Sequence, residues 1–247
     1  MIIIAEWQIN TFRKSIRFIQ FLKHNSYNLI RKKIADYPNP PNHLKEIGFF
    51  NKKMLIQTSW EYRQYFDPNN LNDLNREVPP YKENKVTLIL DGDDVLIKKK
   101  FSGNRKFDDF YSELVCYDKM GRFGFTPDIK YVDYKETSIY MKFIDGVPLS
   151  KRRADLKEFV QDKGDIIRVH LKEIVNLLHA NGIIFLDLSG RNLIVKENNM
   201  YIFDFSDAIY FSELQLKLKP VKRYFLKLVS LENNRVKRSL KALGLPE

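Results

Sequence analysis

Two aspartates and an asparagine stand among short apolar runs in residues 179–206, and this stretch constrains the chain most strongly. Asp187 precedes Asn192 by five residues, and Asp204 follows after the runs NLIV and MYIF. Such polar groups cost free energy among apolar residues unless a charged partner compensates them. Carboxylate and amide oxygens are the ligand type that Mg²⁺ prefers. The spacing therefore predicts a site for Mg²⁺ and a phosphate.

The rest of the composition is that of an ordinary globular protein. The chain has 247 residues, of which 44% are hydrophobic, so it can bury a sizeable core. Its single cysteine, Cys116, excludes an intrachain disulfide and a cysteine-rich zinc site. No stretch approaches the roughly 20 apolar residues of a membrane span, and the apolar run in the first residues is too short for that of a signal peptide. We expect a cytoplasmic protein and a monomer.

The net charge of +11 is unevenly distributed. Basic residues exceed acidic ones in residues 1–84 and 207–247, whereas residues 85–206 are nearly balanced. A basic excess of this kind favours an anionic partner. No aromatic residues are interleaved with the basic ones in a known nucleic-acid-binding pattern, so we expect no nucleic acid partner.

The N-terminal part is predicted to be an extension over residues 1–80. Residues 7–34 form a basic amphipathic pattern, which predicts a helix. This helix either lies on an anionic membrane surface or packs its apolar side on the rest of the protein. Residues 44–66 show no clean period, so their structure stays open. The Asn- and Pro-rich segment 67–81 predicts a surface connection and a boundary near residue 80.

The middle and C-terminal parts alternate between strand and helix patterns. Two β-rich runs flank Asp91-Gly92, which predicts a hairpin from residue 85. A helix is predicted at 106–120 with Phe107, Phe110, Tyr111 and Leu114 on its apolar face and Glu113 off it. Strands are predicted at 128–134 and 138–144, and a helix at 165–180 that ends at Asn181-Gly182. Short strands and a helical tail follow.

The polar residues supply the parts that phosphoryl transfer needs. The reaction requires a positioned nucleophile and neutralisation of the developing charge. Asp187 would orient or accept the proton of an acceptor hydroxyl, while Asn192 and Asp204 would bind Mg²⁺. A lysine of the hairpin would hold the phosphates, and Glu113 would fix that lysine.

The catalytic stretch resembles the protein-kinase-like fold. Asp187-Leu188-Ser189-Gly190-Arg191-Asn192 resembles the D-L-x-x-x-N catalytic loop, and Asp204-Phe205 resembles the start of D-F-G. Upstream, Val95-Leu96-Ile97-Lys98 is similar to V-A-I-K. This register selects Lys98 as the ATP lysine, with Lys99 and Lys100 as further candidates.

The resemblance extends to the helix and to the hinge between the lobes. Glu113 takes the place of the glutamate on the αC helix, and residues 141–146 resemble the hinge. The resemblance then implies that the carbonyl of Lys142 and the amide of Ile144 contact adenine, with ATP and Mg²⁺ as cofactors. Phe185-Leu186 replaces His-Arg before the catalytic Asp, and no glycine-rich loop precedes the hairpin.

The implied fold is α+β and two-lobed. A small antiparallel sheet with an αC helix would form an N-lobe over residues 81–144. A reduced helical C-lobe would cover residues 145–247, and the helical extension would precede both. From the 41 residues that follow Ser206, we expect neither the activation segment nor the large helical lobe of a protein-substrate kinase.

Within the superfamily, the chain most resembles the bacterial lipopolysaccharide core kinases. The short C-terminal part, the basic final helix and the F-I-D-G-V-P-L hinge carry this resemblance. It implies ATP-dependent phosphorylation of a Kdo or heptose hydroxyl on an anionic glycolipid, at the cytoplasmic face of the inner membrane and with peripheral membrane contact. The alternatives are a small atypical protein kinase and a pseudokinase or scaffold.

Overall fold

The computed structural model describes residues 37–50, 85–103, 106–149, 156–185, 187–188, 190–205 and 208–245. The predicted helix of residues 7–34 and the predicted boundary near residue 80 lie outside these ranges. Both stay predictions.

Five antiparallel strands of the described residues form the N-terminal sheet, in the order β1-β2-β3-β5-β4. They are β1 (Lys45–Phe50), β2 (Lys85–Asp91), β3 (Asp94–Lys100), β4 (Ile129–Asp133) and β5 (Ser138–Lys142). The predicted hairpin is confirmed as β2 and β3. Gly92 adopts a positive φ of 61° in its turn, which glycine does without steric cost.

Strand β1 belongs to the same sheet, although its sequence was assigned to the extension of residues 1–80. It pairs with β2 in a register that places Lys45 opposite Leu90, with an irregularity between Glu46 and Gly48. This strand was not predicted because its pairing partner lies some 40 residues later in the chain, and the partner determines the strand more than local pattern does.

Helix α1 (Lys106–Gly121) follows β3, as predicted. Phe110, Tyr111 and Leu114 are buried as expected, but Phe107 is 45% exposed and Glu113 is fully buried. The predicted placement of Phe107 and Glu113 was therefore wrong. Burial of a glutamate requires a compensating partner, which the site described below contains.

The C-terminal part combines helices with two small antiparallel sheets. The sheets are β6-β8-β9 and β7-β10, formed by β6 (Val147–Pro148), β7 (Ile183–Phe185), β8 (Leu193–Lys196), β9 (Asn199–Ile202) and β10 (Ala208–Tyr210). The helices are α2 (Leu156–Ala180), α3 (Glu213–Leu216) and α4 (Lys219–Ala242). The α+β, protein-kinase-like fold class predicted from the sequence is thereby confirmed.

Helix α2 begins earlier than predicted and ends where predicted. Its apolar stripe, which includes Ile167, Leu171 and Leu178, is buried. Gly182 follows the helix with φ of 73°, and a Cβ at this position would collide with the carbonyl oxygen of Phe211. Glycine is therefore required there for both conformation and space.

One hydrophobic cluster joins the helices and the strands that carry the polar residues. It contains Leu114 and Tyr117 of α1, Ile174 of α2, Phe185 of β7, and Phe205 after β9. The loops that bear the predicted catalytic groups are thus attached to a packed core. No helix in the described part of the chain is long and apolar enough to cross a membrane.

Candidate active site

A buried lysine of β3 links the two parts of the chain. Lys99 Nζ donates to Glu113 Oε2 at 2.6 Å and to Glu113 Oε1 at 2.9 Å. The same nitrogen donates to Asp204 Oδ1 at 2.6 Å. The side chains of Lys99 and Glu113 are 8% and 0% exposed. The predicted pairing of a hairpin lysine with Glu113 is thus present, and it extends to Asp204.

The lysine in this pairing is Lys99, so the selection of Lys98 from the V-A-I-K register was wrong. Lys98 Nζ instead contacts Glu46 at 3.5 Å and Glu136 at 3.2 Å, and Lys100 also pairs with Glu136. Successive side chains of a strand point to opposite faces of the sheet. Lys98 and Lys100 therefore share one face, and Lys99 alone of the three faces α1.

Burial and charge act on the ionisation of this cluster in opposite directions. Burial alone would lower the pKa of Lys99, but the Asp204 and Glu113 carboxylates outweigh it and raise that pKa above its ordinary value. Burial raises the pKa of Glu113 to about 7, against the attraction of Lys99. Two carboxylates share the single positive charge of Lys99. The more buried of the two, Glu113, is therefore the easier to protonate.

Tyr117 joins this cluster from the next turn of α1, and sequence reasoning missed it. Its hydroxyl accepts a hydrogen bond from the backbone amide of Asp204 at 3.2 Å. Its ring packs edge-on against Phe205 with centroids 5.0 Å apart. Because residues four apart share a helix face, its position relative to Glu113 was a usable signal.

Hydrogen bonds between Asn192 and Asp187 close the predicted catalytic loop, residues 187–192. Asn192 Nδ2 donates to the carbonyl oxygen of Asp187 at 2.9 Å and to Asp187 Oδ2 at 3.2 Å. Asn192 is 2% exposed and ends a single 3₁₀ turn, Gly190–Asn192. A Cβ on Gly190 would collide with the carbonyl oxygen of Leu149. The five-residue interval between Asp187 and Asn192 thus allows the Asn192 side chain to hydrogen-bond Asp187 across the loop.

Asn192 and Asp204 lie in adjacent segments, as the predicted metal site requires. The amide of Phe203 donates to the carbonyl of Asn192 at 3.2 Å, which places Asp204 next to the loop. Asp204 has a φ of 62°. A left-handed conformation in a residue other than glycine is uncommon and is typical of functional sites.

The chemistry of these two residues fits Mg²⁺. The hydrogen bonds of Asn192 described above both use Nδ2, so Oδ1 is the atom that would bind Mg²⁺, and Asp204 would offer a carboxylate. No group of three His, Cys, Asp or Glu side chains in the described ranges forms a metal site by itself.

The predicted hinge begins at the C-terminal end of β5, a strand that pairs with β3 and β4. The amide of Lys142 donates to the carbonyl of Asp128 at 2.8 Å, and the amide of Phe143 donates to the carbonyl of Val95 at 3.0 Å. Lys142 and Ile144 therefore lie where the chain passes from the sheet to the C-terminal part. Their adenine contacts stay a prediction.

A second buried carboxylate, Glu232 of α4, supports the catalytic loop from behind. Its Oε1 accepts the amide hydrogen of Phe185 at 2.8 Å, and its Oε2 lies 2.7 Å from His179 Nε2. Glu232 is fully buried. Sequence reasoning missed it because it stands in a basic tail, 47 residues from Phe185, with no local pattern to mark it.

The site lies largely within the part of the chain that matches a known family. Residues 125–224 match the family model of the RIO domain, an atypical protein-kinase-like family. The match includes Asp187, Asn192 and Asp204 but begins after Lys99 and Glu113, and it covers less than half of the chain. No curated protein matches the sequence. This match agrees with the protein-kinase-like fold of the described residues.

Proposed function

We propose that this chain is an ATP- and Mg²⁺-dependent phosphotransferase of the atypical kinase type, with an alcohol group as acceptor. The observation that carries the proposal is the bridge from Lys99 to both Glu113 and Asp204. A bridge of this kind joins the phosphate-binding lysine to the metal-binding aspartate, the two groups that kinase chemistry needs close together.

Each residue then has a separate role. Lys99 would bind phosphate oxygens, and Glu113 would hold its ammonium group in place. Asp204 and Asn192 would hold Mg²⁺, which when bound neutralises negative charge on the phosphate oxygens. Lys142 and Ile144 would contact adenine through their backbone groups.

Asp187 is the group proposed to act on the acceptor. The acceptor hydroxyl oxygen forms a bond to the γ-phosphorus as the bond between that phosphorus and the ADP oxygen breaks. The hydroxyl proton passes to the Asp187 carboxylate and then to solvent. Asn192 would keep the carboxylate aimed, since it donates to both the backbone and the side chain of Asp187.

Two acceptor classes are proposed for this site, in order of support. The match to the RIO domain favours a hydroxyl on a protein, which makes the chain a small atypical protein kinase. The second candidate is a Kdo or heptose hydroxyl of lipopolysaccharide core. It is favoured by the resemblance of the hinge and by the exposed cations of α4, which suit an anionic glycolipid.

The test is transfer of labelled γ-phosphate from ATP by the purified full chain. Acceptors are a dephosphorylated protein substrate and detergent-dispersed core glycolipid, each supplied separately. Asp187→Asn should reduce transfer by at least about 100-fold, in line with losing a positioned proton acceptor. The matched control is Asp165→Asn on α2, where the carboxylate is 92% exposed and lies outside the proposed site.

The acceptor that gains label identifies the substrate class. Label on protein alone supports the atypical protein kinase, and label on glycolipid alone supports the sugar kinase. Equal transfer by wild type and Asp187→Asn, or none by either, would overturn the enzyme proposal in favour of a pseudokinase or scaffold.

A further inference from the structure

Helix α4 carries a dense row of cations on its exposed side. Six exposed basic residues form what we call the α4 basic face: Lys219, Lys222, Arg223, Lys227, Arg238 and Lys241. The helix sequence contains a single acidic residue, Glu232, and that residue is buried. The exposed side of α4 therefore has no carboxylate of its own to offset these charges.

The opposite side of α4 is fully engaged in the fold. Val221, Phe225 and Leu228 are buried in a cluster with Ile209 and Phe211. Val236 and Leu240 are buried in the main core. Because the apolar stripe already faces inward, the helix cannot turn to bury its cations, and the α4 basic face lies on the surface of the described part of the chain.

Exposed leucines lie beside these cations. Leu226 and Leu231 of α4 are 54% and 49% exposed, and Leu214 and Leu218, just before the helix, are 66% and 58% exposed. Leu226 follows Arg223 by three residues, and Leu231 follows Lys227 by four, so each leucine adjoins a cation on the helix surface. A leucine side chain that faces water contributes no hydrophobic stabilisation to the fold.

We infer that the α4 basic face, with its adjoining leucines, binds the surface of an anionic lipid bilayer. The cations complement negatively charged headgroups. The leucines reach the boundary between headgroups and acyl chains, as in helices that lie in the plane of a membrane. A nucleic acid would use the cations but would leave the leucines exposed, since recognition of its bases relies on aromatic stacking or polar contacts.

The test is co-sedimentation of the full chain with phosphatidylcholine vesicles, with and without phosphatidylglycerol, in the absence of nucleotide. Arg223→Glu/Lys227→Glu should weaken binding to the anionic vesicles by roughly tenfold or more, because two cation-headgroup attractions become repulsions. Lys157→Glu/Lys172→Glu makes the same change of charge at exposed positions of α2 and should bind like wild type. Circular dichroism melting verifies that each variant is folded.

A second variant separates a bilayer from other polyanions. Leu226→Ser/Leu231→Ser keeps every charge and should still weaken vesicle binding several-fold, most clearly at high salt, where headgroup attraction is screened. Residues 1–36 are present in every variant. A difference in vesicle binding between an α4 variant and wild type is therefore caused by the substitutions in α4.

Two outcomes would overturn the inference. These are equal vesicle binding by the charge variant and wild type, and unchanged vesicle binding by the leucine variant. Because no phosphate transfer is measured, the result is independent of the proposed kinase activity.

Discussion

Glu232 Oε1 accepts the backbone amide hydrogen of Phe185 at 2.8 Å, two residues before the proposed catalytic Asp187. The same carboxylate contacts His179 at the end of α2. A single side chain of the last helix thus satisfies a buried amide of β7 and joins three elements behind the catalytic loop. Glu232 touches no predicted substrate position, so its role is to position the loop.

Glu232→Ala should destabilise the protein and misplace the loop. It leaves the Phe185 amide without its acceptor, which costs about 1–3 kcal/mol for a buried donor. Urea unfolding should show a lower midpoint at an unchanged slope. Glu232→Gln retains an acceptor oxygen and a polar contact for His179, so it should recover most of the lost stability.

Kinetics separate positioning by Glu232 from a purely structural effect. At a temperature where Glu232→Ala is fully folded, kcat should still be reduced while KM for ATP changes little. An alanine variant with wild-type stability and wild-type kcat would contradict both parts of this prediction.

Lys99 and Lys98 provide a matched pair for the phosphate-binding role. Lys99→Met should lower kcat/KM for ATP by at least about 100-fold, the scale of losing a charge-stabilising group in an active site. Lys98→Met removes an ion pair with Glu136 on the opposite face, so it should change the same parameter by no more than about twofold. A larger loss in Lys98→Met than in Lys99→Met would refute the assignment.

Glu113 should make stability depend on pH in the direction opposite to an ordinary ion-paired carboxylate. Its pKa is raised by burial from 4.5 to about 7, so the folded state binds more protons than the unfolded state between these values. Its contribution to the free energy of unfolding therefore falls as pH rises from 4.5 to 7. Glu113→Gln should remove this slope in urea titrations at a series of pH values.

The control for that experiment is Glu173→Gln, at an exposed position of α2. It should leave the pH dependence of wild type unchanged. If Glu113→Gln retains the wild-type slope, protonation of Glu113 does not occur in this window.

Gly190 should be intolerant of even one added methyl group. A Cβ there would meet the carbonyl oxygen of Leu149, and overpacking of this kind costs about 1–3 kcal/mol. Gly190→Ala should therefore lower the melting temperature and reduce kcat, because the 3₁₀ turn carries Asn192. At Gly121 an added Cβ would have only an ordinary contact, 3.9 Å from Thr126 Oγ1, so Gly121→Ala should leave kcat unchanged.

The amino-acid sequence by itself determined the local features of this protein. Asp-Gly predicted the β2–β3 hairpin, Asn-Gly predicted the end of α2, and the interval from Asp187 to Asn192 matched the spacing of a kinase-like catalytic loop. Each depends on contacts between residues close in the chain, where conformational preference and spacing are sufficient information. The protein-kinase-like fold followed because these local units occur in the order that the fold requires.

Tertiary structure decided which residues meet across the site. Three adjacent lysines are equivalent by composition, and only the pairing register of β3 directs Lys99 toward Glu113 and Asp204. A shift of one residue reverses the face of every side chain in a strand, so the motif register, which is one residue away from Lys99, selected a lysine on the opposite face. Glu232 became part of the site because α4 packs behind β7, a contact between distant segments that only the folded chain creates.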